Sequence, residues 1–116
     1  MKIKITVGVL AIVLIGGLIF YFTTFFVYQQ SEKFFGFPIP KNAELVSEKG
    51  LINIYDWSRA SEENGIPFDY ELVIKAKGWK FVDREGASTY YEKEGYRIDL
   101  ISTTDHLEIR VLESKN

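Results

Sequence analysis

Pro67 to Lys77 reads PFDYELVIKAK and runs directly into Gly78-Trp79. This short stretch decides the fold class. Pro67 suits the first position of a helix, where a missing N–H costs nothing. Asp69 and Glu71 stand near the positive end of the helix dipole, and Lys75 and Lys77 near the negative end. Phe68, Leu72, Val73 and Ala76 recur at helical spacing and predict an apolar stripe. Gly78 falls where a left-handed residue closes a helix.

Outward from this helix the periodicity changes to two. Upstream, Ala43–Glu48 and Leu51–Trp57 (LINIYDW) read as strands around a Lys49-Gly50 turn, and the polar run 58–65 (SRASEENG) as a loop. Downstream, four strands are predicted: Trp79–Arg84, Ala87–Lys93, Tyr96–Ser102 and Leu107–Glu113. Glu85-Gly86, Glu94-Gly95 and residues 103–106 supply the turns. In the last two strands Tyr96, Ile98 and Leu100, and then Leu107, Ile109 and Val111, alternate onto one face. Connections this short force antiparallel neighbours, because a parallel crossover takes a dozen residues or more. The expected fold class is α+β: a β-β-α-β-β-β-β domain over residues 41–116, one helix on an antiparallel sheet. A tail of Ser114, Lys115 and Asn116 is expected to fray.

The N-terminal end is of another kind. Ile5–Tyr28 holds no charge, and at about 1.5 Å per residue its 24 residues reach about 36 Å, enough to cross a bilayer core. Tyr21, Phe25, Phe26 and Tyr28 gather at its end, as at a membrane interface. Residues 1–4 carry Lys2 and Lys4, which predicts a cytoplasmic tail and an extracytoplasmic domain in the cell membrane. Secretion after signal cleavage is the alternative. The run exceeds a signal's apolar region and ends at TTFFVYQQ without a small-x-small site, so a signal anchor is preferred. Residues 29–40, with Pro38 and Pro40, read as an extended juxtamembrane linker whose Phe34, Phe35 and Phe37 pack under the domain or at the interface.

Composition excludes several chemistries. With no cysteine in 116 residues there is no disulfide, thiolate metal site or thiol nucleophile, a pattern more typical of a bacterial extracytoplasmic domain. The first 28 residues hold no acid and two lysines, both before the span. The other 12 basic residues and all 16 acidic ones follow it, leaving the domain near −4 and arguing against nucleic-acid binding. Phosphate-loop and dinucleotide glycine motifs are missing. His106, beside Asp105, is the one histidine and reads as a turn residue before a general base. Asp56, Glu62, Glu63, Asp69 and Glu71 lack the spacing of a calcium loop and read as solvated or helix-dipole charges. No metal or cofactor is expected, and the chain reads as a non-enzyme.

The proline-containing lead at 37–43, the helix closing on Gly78-Trp79 and the alternating hairpin after it resemble small bacterial membrane-anchored extracytoplasmic proteins of unassigned function. The resemblance spans about residues 37–112. It implies structural roles for Gly78 as the helix cap and Trp79 as core under the helix, beside the structural role of Pro67 at the helix start, and brings no active site.

Aromatics are the remaining surplus, at 16% of residues. Tyr90 and Tyr91 are adjacent on a strand and must face opposite ways. With Tyr55 and Trp57 they are the candidate binding residues, weighed against ordinary cross-strand pairing. The expected task is to bind a protein partner at the outer membrane face. A neutral-glycan or cell-wall module is the alternative, and a carboxylate-dependent hydrolase stands behind it.

Overall fold

The computed structural model describes residues 2–113. The 114–116 tail lies outside them. The chain is α+β: an N-terminal apolar helix, then antiparallel sheets with one further helix.

Helix α1 spans Lys2–Phe26. Its segment Lys4–Phe26 is long and apolar enough to cross a membrane; its side chains are exposed up to Thr23, and only at its end does the domain cover it, with Thr24 buried and Phe25 half-buried. The helix stops short of Tyr28, which opens strand β1 (Tyr28–Ser31). β1 pairs antiparallel with β2 (Phe37–Pro40). The segment expected as a linker is therefore a hairpin. Phe35 and Gly36 turn its loop at positive φ, and Phe34, Phe37, Pro38 and Pro40 are fully buried. Proline is tolerated in this ribbon because a two-stranded sheet has edges on both sides, where a missing donor breaks no ladder.

The large sheet has the order β3-β4-β8-β7-β6-β5, antiparallel throughout. Its strands are β3 (Glu44–Lys49), β4 (Ile52–Asp56), β5 (Lys80–Glu85), β6 (Ser88–Lys93), β7 (Tyr96–Thr103) and β8 (His106–Glu113). Each expected strand is present, with ends shifted by a residue or two. Helix α2 (Phe68–Ala76) carries the chain from β4 to the far edge at β5. Ile98, Leu100, Leu107, Ile109 and Val111 line the inner face. Two units cover them side by side: α2 and the β1–β2 hairpin.

The cap at Gly78 forms as expected. Gly78 has φ +93°, its N–H donates to Lys75 O at 3.0 Å, and the Trp79 N–H donates to Ile74 O at 3.2 Å, the paired bonds of a Schellman ending. Trp79 is buried beneath the helix. Lys93 Nζ donates to the last turn at Lys77 O, 2.7 Å. At the other end Pro67 is the extended N-cap (ψ 153°) and stands one place before the first helical position.

The apolar stripe is rotated from its expected place. Tyr70, Val73 and Ile74 face the core, whereas Phe68 is 72% exposed. The hairpin is the cause. It offers Pro38 O as an acceptor for the Tyr70 hydroxyl at 2.7 Å, so a large ring is buried with its polar end satisfied.

Candidate functional site

The four aromatics singled out from the sequence do not form a surface. Tyr91 is 3%, Tyr55 7% and Trp57 3% exposed; Tyr90 alone is half-buried on the other face. The hairpin covers them. Tyr28 stands edge-on to Trp57, with centroids 6.5 Å apart, and Phe37 packs against Tyr91 at 5.7 Å. The Trp57 Nε1–H donates to Asn42 Oδ1 at 3.1 Å. Tyr55 accepts from Asn53, whose own oxygen accepts from Lys33 in the hairpin loop at 2.6 Å. One helix alone would have left these rings outside; helix plus hairpin takes them in.

His106 pairs with Asp56 through Nδ1 at 2.9 Å, across the β4–β8 ladder, and not with its neighbour Asp105. Both side chains are about half exposed, and the pair is a surface contact. Among the described residues no three His, Asp or Glu side chains gather as a metal would need.

A different cleft opens where α2 fails to reach the sheet's edge. Gly65, Ile66, Glu71, Lys75, Phe81, Arg84, Thr89 and Tyr91 enclose about 350 Å³. Every residue of β5 is exposed, and the strand's outer side has no partner. Tyr91 lies on the cleft floor. Burial, assisted by the nearby Glu71 carboxylate, pushes its hydroxyl up to about 12, so it acts as a neutral hydrogen-bonding group. The Arg84 guanidinium lies against Gly65, where an added Cβ would sit 3.3 Å from its nitrogens. Lys75 and Arg84 are not ion-paired among the described residues, so two cations face the single carboxylate of Glu71. A bulge at Val82 interrupts the ladder between Phe81 and Asp83, and such bulges limit indiscriminate pairing at an edge. The signal for this cleft was present in KFVDRE, a strand too charged to lie at the sheet's centre. The uncovered edge itself depends on the length of α2.

The second feature is the junction of α1 with the domain. Arg59 grips Asp69 with both nitrogens, Nη1 to Oδ2 at 2.9 Å and Nη2 to Oδ1 at 2.7 Å. The Tyr28 hydroxyl donates to Asp69 Oδ2 at 2.8 Å. Burial alone would raise the Asp69 carboxyl, but the Arg59 and Tyr28 hydrogen bonds outweigh it and hold the group below its ordinary value. Burial and the neighbouring carboxylate push the Tyr28 hydroxyl well up. Tyr28 also stacks on Tyr70, with centroids 4.9 Å apart. The chain thus passes from apolar helix to folded core across one residue, Val27, whose carbonyl accepts from the Lys41 N–H at 2.8 Å. No protein-family model, no curated protein and no solved structure matches the chain.

Proposed function

We propose that the protein is a non-catalytic binding module, anchored in the cell membrane by α1 with its domain on the extracytoplasmic side, that takes an extended segment of a partner protein along β5. The observation that carries this reading is the cleft beside an unpartnered strand. An added strand would find free backbone donors and acceptors on β5, and side chains of alternate residues would enter the space under α2. Ile66, Phe81 and Tyr91 offer apolar contact there, while Lys75 and Arg84 favour an acidic segment. The opposite edge, β3, has a comparable bulge at Val46. Two lysines before the span and none of its own charge within it support the orientation.

A photoreactive phenylalanine derivative placed at Val82 in the full-length chain tests this in living cells. A protein adduct from position 82, absent from the same group at Val46 on β3, is the expected outcome. Equal labelling from both edges, or none from position 82, removes the β5 assignment.

A further inference from the structure

The underside of the domain, around the end of α1, carries a second pattern. Gly16, Ile19, Phe20, Thr23 and Thr24 of α1 face Arg59, Phe68 and Asp69 across a groove of about 670 Å³. If Lys4 marks one boundary of the hydrocarbon, about 20 residues at 1.5 Å each place the other near Thr23 and Thr24. The groove therefore lies at the outer half of the span, and Phe68 projects beside it with 72% of its surface uncovered. Two lysines approach the end of the helix. Lys41 Nζ lies 4.0 Å from the Phe26 ring centre and Lys77 Nζ 5.7 Å from that of Phe25. Neighbouring helix positions point about 100° apart, so the two ammonium groups stand on different sides of the exit. Neither is ion-paired among the described residues, and the acid beside the groove, Asp69, is already held by Arg59.

We propose that this underside binds anionic phospholipid of the leaflet the domain faces: Lys41 and Lys77 take the phosphate headgroups, and Phe68 wedges among the acyl chains beside Gly16, Ile19 and Phe20. The proposal rests on the reading that α1 spans the membrane. The domain as a whole is acidic and is repelled by an anionic surface, so only the collar of lysines draws it down. Seating on that face leaves α2 against the lipid and fixes the tilt of the domain above the bilayer.

The test uses the full-length protein in phosphatidylcholine vesicles containing a trace of spin-labelled phosphatidylglycerol or spin-labelled phosphatidylcholine. A motionally restricted signal from either lipid reports that α1 is inserted; its absence for both removes the anchor and this proposal with it. With α1 inserted, phosphatidylglycerol is expected to be enriched in the restricted fraction. Lys41→Gln with Lys77→Gln lowers that enrichment, by roughly fivefold at most for each lysine near an anionic surface, and Lys41→Arg with Lys77→Arg keeps it. Lys2 and Lys4 are common to all variants and cancel from the comparison. Enrichment unchanged in the glutamine pair, or equal partition of the two lipids in the wild type, overturns the assignment. Phe68→Trp adds an independent reading, since Trp57 and Trp79 are both buried: quenching of the new indole by acyl-brominated lipid is expected, and an unquenched indole overturns the wedge.

Discussion

The β1–β2 hairpin and strand β5 invert what their sequences advertise. Residues 28–40 contain two prolines and three closely spaced phenylalanines with little alternation, and they supply some of the most buried side chains in the molecule. Residues 80–85 are strand-like in pattern, and every one is exposed. The difference lies in what stands opposite each segment. The hairpin leans on the inner face of the large sheet and shares that face with α2. β5 lies at the edge, beyond the reach of a nine-residue helix. Burial belongs to the layer a segment packs on, and periodicity alone does not report that layer.

Phe37→Ala has the largest expected effect, because it empties the centre of the hairpin's buried face. The ring is fully buried and meets Trp79 edge-on at 5.1 Å and Tyr91 at 5.7 Å. Deleting it should cost about 3–5 kcal/mol, the usual range for a buried phenylalanine, out of a total of about 5–15 kcal/mol for a domain. Urea unfolding of the detergent-solubilised full chain, followed by near-ultraviolet circular dichroism, measures it. A midpoint close to that of the wild type would mean that residues 28–40 are a tether after all.

Much of the domain was legible because its local signals agree. Dipole charges, the Pro67 start and Gly78 all point to one helix, and turn glycines separate runs of alternating residues. Of the expected stripe, Val73 alone is fully buried. The reading of Phe68 as core failed for the same reason as the linker. The position that becomes Tyr70's acceptor, Pro38 O, is 32 residues away in the chain, and no local pattern announces it. The candidate site failed in the same way. Tyr55, Trp57 and Tyr91 were surplus to one helix and are not surplus to a helix and a hairpin. The cleft beside β5 is the space that neither covering unit fills, a property of two lengths and one topology.

Gly78→Ala tests the part that was legible. At φ +93° an alanine is strained, and its Cβ would come within 3.2 Å of Lys93 Cε. A left-handed conformation costs an L-residue about 1–2 kcal/mol, and the lysine that caps Lys77 O must also give way. Loss within that range in the same unfolding measurement is expected, smaller than that of Phe37→Ala. A neutral result would mean that the helix ends elsewhere.

Asp69→Asn probes the junction and has a pH signature. The folded carboxyl lies below the ordinary 3.8, so its stabilising contribution is present above that value and is lost as pH falls through the lower folded value. Arg59 is about half exposed, which discounts the ion pair to about 1 kcal/mol. The asparagine variant should therefore be less stable than the wild type at neutral pH, and the gap should close on acidification below 3.8. A gap independent of pH across that range would assign the loss to packing and not to the ionised carboxylate.

Phe81→Ala has the smallest effect on folding and bears most directly on the contrast. The ring is exposed and stands edge-on to Tyr91, with centroids 6.4 Å apart. Removing it should change stability by about 0.5 kcal/mol or less, as exposed substitutions usually do. A stretch of sheet that contributes so little to the fold is free to be shaped by what it binds. Labelling of a partner from position 82 should fall several-fold in Phe81→Ala while the unfolding midpoint stays in place. A midpoint that drops as far as in Phe37→Ala would show β5 to be core, and the contrast between the two regions would disappear. An unchanged midpoint with undiminished labelling would keep the edge open and move the partner's contacts away from Phe81, to the charged rim formed by Lys75 and Arg84.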